Sequence, residues 1–400
     1  MKILVVSQYY YPERFKVTEL AEELFKLGHE VEVLTGLPNY PEGIVLDEYR
    51  GGKNRRQKIN GVDIHRVALF GRKTGKINLA LNYASFMVNA SIKAWFMKPK
   101  YDMVLVYQLS PILMAIPAIV LKRRRKIPLI LYTFDLWPDS IKTLGIKSES
   151  LFYRLVERLS AWIYRQADAQ WVTSKQFTGY LDRFTHKGQD IVYLPQYAED
   201  IFTPSHKNPS DDFICLFAGN MGKAQSIETI LKAAKRLDNV PNIHFELVGA
   251  GSDLDRLKVI AQELNLTNVN FVGSHPIEDM PAYYQNADVC LLTLLDDPVI
   301  SLTLPAKVQT YMASARPIVA AAGGEVANVI RDSQGGRFVP SQDDEGLANQ
   351  ILHYYQHRDQ VLIDGENARK YVESNFSKQR FIERIKEEIE AVSARRKENV

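Results

Sequence analysis

Four hundred residues exceed what one hydrophobic core usually holds, so two domains are the first expectation. The 46% apolar and 24% charged composition is that of an ordinary globular protein, and two cysteines, Cys215 and Cys290, exclude a disulfide framework. The net charge of +3 hides an asymmetry: Arg50–Lys126 holds 17 Lys and Arg against only Asp63 and Asp102, a window of +15 that leaves −12 for the remainder.

Met1 runs straight into an apolar strand, so no secretory signal is expected, and no apolar run is long enough to span a bilayer. The eight histidines show no metal-ligand spacing, so neither metal nor cofactor is expected. Lys2–Ser7 is a continuous apolar strand of the kind buried in a parallel sheet. A loop, Tyr9-Tyr10-Tyr11-Pro12-Glu13, follows at its C-terminal end. Val17, Leu20, Ala21, Leu24 and Leu27 recur at helical spacing, Gly28 ends that helix, and Val31–Thr35 is a second strand, completing a βαβ unit. The next loop, Gly36–Gly43, carries Asn39 and Tyr40 at a strand C-terminus, where open α/β sheets bind ligands.

Gly61–Ala68 reads as a strand, Ile77–Met97 as a long apolar-aromatic segment, Val104–Tyr107 as a strand, and Pro111–Leu121 as a helix followed by the basic cluster Lys122–Lys126. Strand Pro128–Tyr132 delivers Thr133-Phe134-Asp135-Leu136-Trp137-Pro138-Asp139-Ser140 to its C-terminal end. Helix Ser150–Gln166 and strand Gln170–Thr173 follow. After a polar connector from Pro195 the pattern starts again. Strand Phe213–Ala218 ends in Gly219-Asn220-Met221-Gly222-Lys223, a turn into helix Ile227–Leu237, and such a turn offers backbone N–H groups and a lysine to a diphosphate. Strand His244–Val248 ends in Gly249-Ala250-Gly251. Val269–Gly273 and Val289–Leu294 are strands with helix Met280–Gln285 between them, a helix begins near Lys307, strand Pro317–Ala321 ends in Gly323-Gly324-Glu325, and Lys378–Lys397 is a charged amphipathic helix. Two α/β units facing each other across a cleft are the expected arrangement.

The pieces YYPE, LAEELFKLGHEVEVLTGLPNYPEG and DLWPDS in the first half, and FAGNMGKAQ, FELVGAGSD, NVNFVGSHP, ADVCLLTL and LPAKVQTYMASARPIVAA in the second, resemble the retaining glycosyltransferases of family 4. The likeness covers essentially the whole chain; the first-half pieces resemble a bacterial branch that builds capsule, O-antigen or exopolysaccharide repeat units and includes amino-sugar transferases, and the second-half pieces resemble the family's donor domain. It implies the two-domain glycosyltransferase B fold: residues 1–196 binding the acceptor, residues 197–375 binding a nucleotide-sugar, usually a UDP-sugar, and residues 376–400 returning to the first domain.

On the donor side the resemblance points to Gly219, Asn220, Gly222, Lys223, Gly249, Gly251, Lys307, Thr310 and Glu325. Lys307 in a first helical turn opposes the macrodipole, which a bound anion would explain. The family places a glutamate, seven residues and a second glutamate here; this chain has Leu302 and Thr310, with Asp296, Asp297 or Glu325 as candidate substitutes. On the acceptor side the candidates are Tyr10, Glu13, Asn39, Tyr40, Trp137 and Asp139. Trp137 is a candidate platform for a sugar face. Asp135 is the candidate polar catalytic group, with Glu13 competing, and Lys223 and Lys307 would neutralise the leaving diphosphate. The implied setting is the cytoplasmic face of a membrane, with a lipid-linked saccharide acceptor, an anionic surface under the Arg50–Lys126 window, and no nucleic acid. Two other readings fit these residues: a nucleotide-sugar epimerase of the same fold, and a non-catalytic partner with a degenerate donor site.

Overall fold

The apolar runs become parallel strands buried on both faces, and the spacing between them is filled by helices. The structure, a computed structural model, describes every residue except Pro99, Lys187, Gly188, His206, Asn208, Pro209, Asn399 and Val400. The chain divides into two units, Met1–Leu194 together with Ile382–Val400, and Pro195–Phe381.

The first unit contains β1 (Lys2–Val6), α1 (Val17–Lys26), β2 (Glu30–Gly36), β3 (Arg56–Ile59), β4 (Val62–Val67), α2 (Lys76–Phe96), β5 (Met103–Gln108), α3 (Ile116–Arg125), β6 (Leu129–Thr133), α4 (Leu151–Tyr164), β7 (Ala169–Val172), α5 (Gln176–Leu181) and β8 (Asp190–Tyr193). Among the described residues its sheet has eight strands in the order β3-β4-β2-β1-β5-β6-β7-β8. All pairings are parallel except β3 with β4. Val17, Leu20, Ala21 and Leu24 are the buried face of α1, and each larger side chain among them contributes about 1.5–3 kcal/mol. Ser150 caps α4 by accepting from the Tyr153 amide at 3.1 Å. One expected element is corrected: Pro111–Leu121 is not one helix. A 3-10 turn, Ile112–Ala115, precedes α3, and α3 continues through Arg125, so the basic cluster is the last helical turn.

The second unit contains β9 (Phe213–Ala218), α6 (Ile227–Arg236), β10 (Ile243–Val248), α7 (Leu254–Glu263), β11 (Val269–Gly273), α8 (Met280–Asn286), β12 (Val289–Thr293), α9 (Lys307–Ala313), β13 (Ile318–Ala321), α10 (Gly324–Ser333), β14 (Gly336–Val339), α11 (Asp344–Gln356) and α12 (Arg358–Asn375). Its strands run β11-β10-β9-β12-β13-β14, all parallel, and α6 packs Ile227, Ile230, Leu231 and Ala234 against Phe213, Cys215 and Phe217. Cys215 and Cys290 are buried free thiols within β9 and β12. The last helix, α13 (Lys378–Glu398), buries Phe381, Ile385, Ile389 and Val392 at helical spacing, and its Arg395 pairs with Asp190 of β8.

Candidate active site

In the second unit the strand order reverses between β9 and β12, and ligands of open α/β sheets bind outside the strand ends at such a point. The Gly219–Lys223 turn leaves β9 there. It lies backbone on backbone against the turn after β10. A Cβ on Gly249 (φ +137°) would sit 1.9 Å from the Gly219 carbonyl oxygen, and one on Gly251 would sit 2.4 Å from the Met221 carbonyl. The Gly219 amide donates to Val248 (2.9 Å) and the Met221 amide to Ala250 (2.8 Å). These two amides join the loops and are not among the N–H groups the turn can offer a ligand. The glycines make that contact possible.

Lys307 opens α9 and points its ammonium at this turn. The nitrogen lies 4.2 Å from the centroid of the Phe217 ring and donates to Gln225 Oε1 at 2.6 Å. A Cβ on Gly219 would be 3.3 Å from it. Gln225 is itself fixed from β12, because its carbonyl accepts from Thr293 Oγ1 at 2.5 Å. No carboxylate pairs with Lys307 among the described residues, and burial pushes its amine down to about 7. Lys223, by contrast, is exposed on a pocket of about 440 Å³ that Lys232 and Arg256 also line. Those two are paired, Lys232 with Glu228 at 2.9 Å and Arg256 with Asp253 and Glu228 at 2.7 Å. Lys223 has no such partner among the described residues, so this edge carries two cations available to an anion.

The structure separates the candidate substitutes for the missing glutamates. Asp297 Oδ1 accepts from the Val299 and Ile300 amides at 2.8 and 3.0 Å, so it caps the 3-10 turn that holds Leu302. Asp296 is exposed. Glu325 is buried in the first turn of α10, beside Gly324, where a Cβ would lie 2.0 Å from the Ser301 carbonyl oxygen. Thr310 bonds its own helix at Ala306 (3.4 Å).

In the first unit the order reverses between β1 and β5. Glu13 is buried there and accepts from the amides of Asn39 (2.7 Å), Tyr40 (2.8 Å) and Tyr10 (3.2 Å). Burial pushes its carboxyl up to about 7, against three donors that favour the anion. Its work is to tie two loops together. Asn39 is also engaged, its Oδ1 accepting from the Arg72 amide (3.1 Å) and Asn82 Nδ2 (3.2 Å), and Tyr10 is buried. Tyr40 remains exposed, with Arg72 over its ring at 5.6 Å.

Asp135 leaves β6 at the same edge. The hydroxyl and amide of Ser110 donate to its carboxylate, yet burial dominates and pushes the carboxyl up. Ser110 Oγ accepts from Trp137 Nε1 at 3.0 Å. Trp137 is only 8% exposed, so it is a wall behind Asp135 and not an open platform for a sugar ring. Asp139 is likewise corrected. It is buried against Lys142 (2.6 Å), Arg183 (3.1 Å) and Tyr153 (2.5 Å). Burial pushes its carboxyl up, but those partners outweigh it and hold it below the ordinary range. Ser110, Arg72, Phe217 and Gln225 complete these environments. Phe217 and Gln225 stand at the two ends of the FAGNMGKAQ piece, whereas Ser110 and Arg72 stand in no recognisable motif.

Residues 15–196 match the family described as glycosyl transferase 4-like domain, and residues 212–357 match glycosyl transferases group 1. The two matches together span most of the sequence. Both halves of the chain carry glycosyltransferase domains. This glycosyltransferase is 27% identical to the probable glycosyltransferase WbjE of Pseudomonas aeruginosa over 56% of its own length and 58% of that relative's, less than two thirds of it. It is 24% identical to the putative colanic acid biosynthesis glycosyl transferase WcaI of Escherichia coli, over 78% of this chain and 81% of that one. Sucrose-phosphate synthase from Thermosynechococcus elongatus superposes with a TM-score of 0.78 at 22% identity, covering 98% of this chain and 99% of that one. Anabaena HepE, solved in complex with UDP and glucose, gives 0.68 at 14% identity over 98% and 99%. These likenesses establish the glycosyltransferase B fold. Among the described residues no group of three or more His, Cys, Asp or Glu could hold a metal ion, and no helix is long and apolar enough to cross a membrane.

Proposed function

We propose that this glycosyltransferase transfers a sugar, with retention, from a UDP-sugar onto a lipid-linked saccharide in bacterial surface polysaccharide synthesis. The observation that carries the donor half is Lys307: an amine without a carboxylate partner among the described residues, seated on neutral groups beside the Gly219 turn. A diphosphate supplies the missing countercharge, and Lys223 supplies a second contact. UDP bound to a protein of the same fold supports the choice of donor. The similarity to WcaI, named for colanic acid biosynthesis, supports the acceptor class.

In the reaction we infer, the acceptor hydroxyl attacks the anomeric carbon on the face the diphosphate leaves, and the departing diphosphate oxygen takes the hydroxyl proton. One C–O bond forms, one breaks, and the growing negative charge falls on Lys307 and Lys223. Asp135 orients the acceptor hydroxyl. Leu302 offers the donor sugar no acceptor or donor group, so that sugar is held by other contacts than the family's first glutamate. The basic Arg50–Lys126 window brings the first unit to the anionic inner face of the plasma membrane, where a lipid-linked acceptor resides. Calorimetric titration of UDP into the wild type and into Lys223→Ala and Lys307→Ala tests the donor seat. Each variant should lose about 1.5–3 kcal/mol of binding, as for a charged hydrogen bond. Unchanged affinity in both removes the seat from these residues.

A further inference from the structure

The basic cluster that the membrane reading leans on is largely occupied. Lys122 Nζ bonds the Gln166 carbonyl (2.6 Å) and Asp168 (2.7 Å), and Arg125 donates to the Met97 carbonyl (2.8 Å). Arg123 bonds Gln166 (3.1 Å) and lies over Trp162. The unspent charge is elsewhere in the window. A cavity of about 700 Å³ opens between the β3–β4 hairpin and the end of α2, and Arg56, Lys58, Lys93, Lys98 and His65 line it. Arg56, Lys93 and Lys98 have no ion-pair partner among the described residues. Of the two carboxylates in the wall, Glu32 is taken by Lys2 (2.7 Å), His65 (3.0 Å) and the Tyr101 hydroxyl (2.5 Å), and Asp63 pairs with Lys58 at 3.4 Å. Burial pushes the Lys93 amine down, and Arg56 pushes it the same way. His65 Nδ1 is buried without a partner.

The rim of this cavity continues into an apolar stripe. Ile77, Leu81, Val88, Ile92, Trp95 and Phe96 recur along one side of α2, and Ile77 and Phe96 are 77% and 70% exposed. Arg124 lies over the Trp95 ring at 5.1 Å. A soluble surface rarely leaves so continuous a stripe uncovered beside unpaired cations. No described helix is long and apolar enough to cross a bilayer, and an exposed apolar stripe beside cations suits a place in the membrane interface.

We propose that the cavity seats the phosphate of an anionic phospholipid headgroup while the α2 stripe enters the acyl boundary beside it. Arg56, Lys93 and Lys98 provide the charge-assisted donors, and Trp95 and Phe96 flank the glycerol region. This deepens the membrane reading given above and rests on it.

The test is co-sedimentation of the whole protein with neutral phosphatidylcholine vesicles and with vesicles containing phosphatidylglycerol. Wild type should bind only the second kind, and Arg56→Ala with Lys93→Ala should weaken that binding about tenfold or more. Removing two charges elsewhere, Lys258→Ala with Lys370→Ala, should change it less than about threefold. Trp95→Ser with Phe96→Ser should weaken binding while leaving its salt dependence in place. Wild type that ignores anionic vesicles overturns the membrane reading and the cavity with it. Binding that survives in the Arg56 and Lys93 variant overturns the cavity alone. Competition by millimolar inorganic phosphate or glycerol phosphate at constant ionic strength, strong enough to release the vesicles, identifies a free-phosphate site and overturns the lipid assignment.

Discussion

Lys307 Nζ lies 2.6 Å from Gln225 Oε1, and this neutral amide is the polar partner the structure gives the amine. Burial sets the amine at about 7 in the free protein, against 10.5 for an unburied lysine. Between those values the unfolded chain binds the proton that the folded chain has lost, so this group adds stability as pH rises through that window. A bound diphosphate does the reverse and raises the amine again. UDP binding should therefore take up a proton above pH 7, and affinity should fall by up to about tenfold per pH unit there. Titrations in buffers of different ionisation enthalpy count that proton. Lys307→Arg should abolish the uptake, because a guanidinium stays charged.

Asp135 should matter to the acceptor and not to the donor. Asp135→Asn is expected to keep UDP affinity within a factor of about two and to lower turnover by about 10²-fold or more. Equal loss of donor binding and turnover would assign Asp135 to something other than the acceptor. Burial raises this carboxyl, so the acidic limb of the wild-type rate profile should lie above the ordinary aspartate value.

Glu13 joins two loops through three amides. Glu13→Ala leaves those amides buried and unbonded, at about 1–3 kcal/mol each. Faster hydrogen exchange at Tyr10, Asn39 and Tyr40, with a lower Tm, is the expected result.

The contact between the two donor loops allows no side chain at Gly249. With a Cβ position 1.9 Å from the Gly219 carbonyl oxygen and a φ of +137°, Gly249→Ala must push the loops apart. UDP binding should drop about tenfold or more, with a smaller fall in stability. The same change at Gly179, which has open space around it and no positive φ, should leave binding untouched.

The repeated strand and helix pattern was legible because strands such as Lys2–Val6 and Phe213–Ala218 are buried on both faces and read as unbroken apolar runs. β3 was not legible. Arg56–Ile59 is a polar edge strand, and its pairing with β4 is set by a neighbour the sequence does not display. The site divides in the same way. Lys307 and the Gly219–Lys223 turn stand in local motifs, so residue types at fixed spacing single them out as candidates, and the structure brings Lys307 beside Gly219. Asp139 and Trp137 stood in an equally suggestive motif, yet Arg183 and Ser110, distant in sequence, decide what they do. The cavity beside α2 is assembled from β3, β4 and the end of a helix, so only the net charge of the window hinted at it.

The most direct test of the account is nucleoside diphosphate release from UDP-sugars, measured with and without a polyprenyl-linked saccharide. The account predicts release with at least one UDP-sugar that depends on the acceptor, is matched by transferred sugar, and is lost in Lys307→Ala. Acceptor-independent conversion of the donor to its epimer, or no release with any donor and acceptor despite tight UDP binding, would contradict it.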